Sequence, residues 1–256
     1  MTRQTVTRTA CLSVSLGLAL AAACGRDDSP PSGGPAGKPK EEDTRLLETS
    51  AQALQSFAPV SAVDTYLDAF HALKDDPSHA VEVHHFCRAR NEEFTQCVMF
   101  DANTTEANLV GVEYIISERL FESLPEDEQR SWHPHNYEIL SGQMVAPGLP
   151  ALAERAVLEK KLNTYGKTWH TWDTATDAGK TLPLGPARLG WSFNADGELP
   201  KELASERDKR MNVDVASLRA ARQDLAPQAH PQRGVHALSS AFPGRSVPGY
   251  VKDRTE

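Results

Sequence analysis

Apolar residues near the start of the chain fall at helical spacing. Across residues 44–57, Leu46, Leu47, Ala51, Leu54 and Phe57 recur three or four positions apart until Pro59 stops the run. Val60, Val63, Leu67, Phe70 and Leu73 keep the same spacing, which predicts a second helix antiparallel to the first. The period changes at Val81. Residues 81–88 and 94–101 are rich in β-branched and aromatic side chains, and Asn91-Glu92-Glu93 between them suits a turn, so a β-hairpin is expected. With Arg90 opposite Phe94, the register sets Cys87 against Cys97, His85 against Met99 and His84 against Phe100.

Residues 109–116 predict a third strand, with Val110, Val112, Tyr114 and Ile116 on one face and Glu113 on the other. Helices are expected over 117–124 and from Pro125, where carboxylates fill the first turn. Further strands are expected at 137–145 and 168–174, a helix opens at Pro150, and charged helices follow at 200–210 and 214–225. The predicted class is α+β: an antiparallel sheet covered by the N-terminal helix pair, with the remaining helices peripheral. One globular domain spans 44–226, and the Pro-, Gly- and Ser-rich residues 227–256 are expected to form a poorly ordered tail.

Residues 1–23 read differently from the rest. Arg3 and Arg8 precede an apolar run, and Ala21-Ala22-Ala23 leads directly to Cys24, the plan of a signal peptide. The site resembles the lipobox of bacterial lipoproteins, although Ala21 stands where that motif prefers Leu. The resemblance implies acylation (palmitate) on Cys24, with residues 24–43 as a flexible tether and the domain held on an extracytoplasmic membrane of the cell envelope. Without acylation the protein is secreted. A formal net charge of -8 and the lack of any basic-aromatic cluster exclude nucleic acid as a partner.

Chemistry concentrates between residues 84 and 138. His84, His85, Glu113, His133, His135 and Glu138 offer the imidazole and carboxylate donors that suit zinc, iron or manganese. Only one of the adjacent His84 and His85 can share a strand face with Glu113. The competing reading is a set of half-buried histidines hydrogen-bonded at a helix–sheet junction. Cys87 and Cys97 are read as free thiols packed in the core, with a disulfide as the alternative. Trp132, Trp169, Trp172 and Trp191 build core or line an aromatic groove. No nucleophile elbow, phosphate loop, dinucleotide fingerprint or EF-hand is present. Two functions stay open: a non-catalytic domain that binds a lipid, hydrophobic small molecule or protein, and a metal-dependent enzyme.

Seven ordered blocks carry a family likeness. They are Glu82-Val-His-His-Phe-Cys87, Gln96-Cys-Val-Met-Phe-Asp101, the stretch 109–122, Leu124-Pro125, Trp132-His-Pro-His-Asn-Tyr-Glu138, Tyr165-Gly-Lys-Thr-Trp169 and Leu182-Pro-Leu-Gly185. Together they resemble the oil body-associated protein family, a family of unknown function with plant, fungal and bacterial members. The likeness covers about residues 45–225 and brings no assigned catalytic residue. Plant members are associated with lipid droplets, a setting that the apparent export signal of this chain does not share.

Overall fold

The computed structural model describes residues 34–176 and 180–254; the expected signal peptide and Cys24 lie outside them. Helix α1 (Glu42–Leu54) and the single turn α2 (Ala58–Ser61) lead into an antiparallel meander of β1 (Thr65–Leu73), β2 (Asp76–Asn91), β3 (Phe94–Phe100) and β4 (Leu109–Ile116). Next come α3 (Glu118–Glu122), α4 (Glu126–Gln129), the two-residue β5 (His133–Pro134), α5 (Asn136–Ser141) and α6 (Ala151–Glu159). Strands β6 (Tyr165–His170) and β7 (Arg188–Ser192), then α7 (Lys201–Met211) and α8 (Val215–Ala221), complete the named elements.

β6 pairs with β4 on one side and β7 on the other, and β7 returns to β1. Six strands therefore close an antiparallel barrel, which corrects the expected open sheet covered by a helix pair. Closure gives the barrel strands partners on both sides.

The physical reason lies in β1. Residues 67–73 are all buried, because one face of the strand looks into the barrel and the other is covered by outer packing. A strand buried on both faces loses the two-residue alternation, so its apolar positions mimic a helical stripe. Helix α1 has no buried residue and covers nothing. The expected strand at 137–145 is instead led by α5, whose six residues are all buried; a short apolar run that is wholly covered does not reveal its period. Gly142, at φ 84, ends that helix in the left-handed region.

The registers define the barrel interior. His71 pairs with Ser192 and Val81, His85 with Leu67 and Met99, Cys87 with Cys97, Cys97 with Glu113, and Glu113 with Thr168. Directly opposed residues share a face, so these side chains form one inner lining. At one end Leu67, Cys87, Cys97 and Ile115 join Ile139, Leu140 and Met144 in an apolar plug. Cys87 and Cys97 are joined there in a disulfide, in place of the expected free thiols; the hairpin register sets them side by side. The segment after residue 226 is also corrected: Ala229, Val235, Leu238 and Val251 are buried, so the expected disordered tail packs against the body. Its single hydrophobics are spaced too widely to read as an element, yet each finds an apolar cluster.

Candidate metal centre

Glu113 projects from β4 into the barrel and is 2% exposed. His85, two strands away on β2, brings Nε2 to 3.1 Å from Glu113 Oε2. His84, its neighbour on β2, points outward, where Nδ1 lies 3.4 Å from Asp68 and 2.8 Å from the Tyr66 hydroxyl. The other ligand-type side chains arrive through the wall. β6 meets β7 only at Trp169–Leu189 and His170–Arg188, while Tyr165 and Gly166 pair with β5 instead. The segment 133–138 fills that place, sending His133 Nε2 to 3.2 Å and His135 Nε2 to 3.5 Å from Glu113 Oε1. Gly166 makes the approach feasible, since a Cβ there would lie 2.2 Å from Glu113 Oε1 and 2.6 Å from His133 Nε2. Glu138, one turn into α5, puts Oε2 3.9 Å from His135 Nε2.

Two of these histidines have fixed tautomers. The Val83 carbonyl, which can only accept, lies 3.1 Å from His85 Nδ1, so that nitrogen carries a proton. Thr164 Oγ1 lies 2.6 Å from the Lys161 carbonyl and must give its proton there, leaving the hydroxyl to accept from His135 Nδ1 at 2.8 Å. In the neutral imidazoles, the bare Nε2 lone pairs therefore face the Glu113 carboxylate. Among the described residues, His85 Nε2, both His133 nitrogens, His135 Nε2, Glu113 Oε1 and both Glu138 oxygens are buried without a hydrogen-bond partner. These atoms stand close together without hydrogen-bond alignment, an arrangement a shared cation resolves.

The electrostatics agree. Burial pushes Glu113 up, while positive charge or N–H donors at the positions of His133, His135 and His85 hold it well below the usual carboxylate range; where those rings are neutral with bare Nε2 atoms, only a cation between them can take that part. Burial drives His135 down to about 4, so it is neutral at pH 7. Glu138 is pushed well above its ordinary value by burial and by the charge of Glu113.

Sequence reasoning missed His71 and His170. His71 lies in the β1 segment expected as helix, but in the barrel its Nδ1 meets His170 Nε2 at 3.3 Å, and its ring sits 5.1 Å from that of His85 and 5.4 Å from that of His133. Their signal was strand parity: His170 stands two residues beyond Thr168, which faces Glu113. His170 also floors a cavity of ≈ 50 Å³ at the barrel mouth, walled by Leu73, Val83, Val110 and Trp172.

The tryptophans do not share a groove. Trp172 borders the mouth, Trp132 and Trp191 border a separate pocket beside Lys74 and Arg233, and Trp169 lies outside near Lys167. A third His/acid group, Asp68, Glu82 and His84, meets Arg207 and Arg210, whose positive charges disfavour a metal.

A family model described as a protein of unknown function (DUF1264) matches residues 57–226. The chain is 42% identical over 205 residues to oil body-associated protein 1A of Zea mays, covering 80% of this chain and 84% of that protein. Oil body-associated protein 1B of Arabidopsis thaliana is 40% identical over 209 residues, 81% of this chain and 85% of its own. Oil body-associated protein 2A of Zea mays is 38% identical over 202 residues, 78% and 79% respectively. No solved structure matches. These relatives are named for plant oil bodies, which overturns the expected placement in a bacterial cell envelope.

Proposed function

We propose, since this chain belongs to the oil body-associated proteins (DUF1264), a family of unknown function, that its barrel is the scaffold of a metal-dependent protein acting on a small molecule. Glu113, His85, His133 and His135 hold a divalent first-row ion, with Glu138 beside them. The observation that carries this reading is the convergence of the partnerless Nε2 atoms of His85, His133 and His135 on the buried Glu113 carboxylate, with Nδ1 of His85 and of His135 turned to an acceptor. Nitrogen and carboxylate donors of this kind suit zinc, iron or manganese. Such an ion, when bound, supplies Lewis acidity and an activated water. His170 also lines the mouth cavity, which supports approach of a small ligand from that side.

The test is the metal content of the purified chain, read beside its thermal stability. At least one zinc, iron or manganese per chain is expected, with a fall in Tm on chelation, because ligand binding to the folded state adds to its stability. Glu113→Gln should lose both the metal and the response to chelator. A wild type that is metal-free after growth in metal-supplemented medium and indifferent to chelator would sink the reading.

A further inference from the structure

The cage contains more donors than one ion of ordinary coordination number uses. Six side chains meet there: His71, His85, Glu113, His133, His135 and Glu138. Five of them fall into two overlapping groups, His71 with Glu113 and His133, and His133 with His135 and Glu138, each with all of its donor atoms within 4.8 Å of one another, and His85 joins through Glu113. The two oxygens of Glu113 look different ways, Oε2 toward His85 at 3.1 Å and Oε1 toward His133 and His135 at 3.2 and 3.5 Å. A tetrahedral ion takes four ligands. It would leave other buried atoms unpartnered, among them one or both oxygens of Glu138.

We propose that the barrel holds two divalent ions bridged by the carboxylate of Glu113. This rests on the metal reading above and adds its nuclearity. One ion lies on the α5 side, on His135 and Glu138; the other lies on the barrel side, on His71 and His85; His133 stands between them. Paired ions of this kind sit roughly 3.5–4 Å apart, a span that the two oxygens of a carboxylate bridge. His71 is suited to this role because its Nδ1 already contacts His170, as a ligand imidazole is commonly oriented through its second nitrogen. Two bound divalent ions would carry more positive charge than Glu113 and Glu138 offset, and would lower the pKa of a water placed between them. A pair of ions with one bridging oxygen fits a substrate bearing two oxygens on one centre, such as a carboxylate or phosphate ester.

The experiment strips the full chain with chelator, confirms the fold by circular dichroism, and titrates it with Mn(II) and separately with Co(II). Saturation at two equivalents is expected, and at two equivalents of Mn(II) the six-line signal of an isolated ion should give way to that of a spin-coupled pair. His71→Ala should saturate at one equivalent and keep the six-line signal; if that variant does not fold, the wild-type titration decides. Saturation of the wild type at one equivalent overturns the pair and leaves the single-ion reading standing. Two equivalents without coupling place the second ion elsewhere and also overturn it. Failure to bind either ion removes both readings.

Discussion

In the proposed centre, His85 and His135 owe their orientation to groups outside the donor set. The Val83 carbonyl and the Thr164 hydroxyl each hold a proton on Nδ1, and that choice turns Nε2 toward Glu113. Gly166 acts by what it lacks. A methyl group there would fall within 2.2 Å of Glu113 Oε1, and the β6 backbone that carries it is paired on both sides, to β4 and to β5. Gly166→Ala is therefore expected to push Glu113 and His133 apart, lowering stability by about 1–3 kcal/mol, as overpacking does, and removing the metal. Urea unfolding and metal analysis on the same sample check this; a variant with full metal content would show that the donors do not meet at Gly166. Glu113, His133, His135 and Glu138 were legible in the sequence because donor types cluster there and strand parity separates His85 from His84. His71 was not, since its face depends on knowing that residues 65–73 form a strand.

At the level of elements, the hairpin was readable down to its register from His84 to Cys87, because β2 and β3 are flanked by a short turn and carry strand-forming residues; at the turn a bulge sets Asn91, and not the expected Arg90, opposite Phe94. β1 and α5 were not, for the opposite reason: both are covered on every side, and a pattern of uniform burial carries no period. Barrel closure was also hidden, since the β4–β6 pairing joins strands separated by the four helices α3 to α6 and the short β5. The outer face of β1 is held by α7 through Arg207, which is 1% exposed and gives hydrogen bonds to Asp68 Oδ1 at 2.8 Å and to the Gln143 carbonyl at 2.9 Å. Burial and the charge of Glu82 push Asp68 upward, while Arg207 pulls it down. Arg207→Met should cost about 3–5 kcal/mol by stranding that carboxylate, with Asp68→Asn in the same chain restoring part of the loss. Without its partner the Asp68 pKa rises further above the unfolded value, so the deficit should grow as pH rises. Urea unfolding at pH 5 and pH 8 tests the sign; an equal deficit at both would mean that the guanidinium contributes packing alone.

Over the whole molecule, the barrel interior is a store of neutral imidazoles, and this sets how stability responds to acid. Burial drives His71 well below its ordinary value, His170 to about 3 and His135 to about 4. In the unfolded chain each titrates near 6.5. Between those values the unfolded state binds protons that the folded state refuses, so these groups lose stability as pH falls. Asp68 and Glu138, held above their unfolded values mainly by burial, act in the reverse sense and lose stability as pH rises past about 4.5. Three imidazoles outnumber two carboxyls, so the chelated protein is expected to weaken from about pH 6.5 toward pH 4, by about 1.4 kcal/mol per pH unit for each net proton. Metal adds a second dependence, because protons and ions compete for the same nitrogens. The Tm difference between metal-loaded and chelated protein should thus be largest near pH 7.5 and close toward pH 5. Calorimetry with and without chelator across that range measures it, and a difference unchanged with pH would place any bound ion away from His85, His133 and His135.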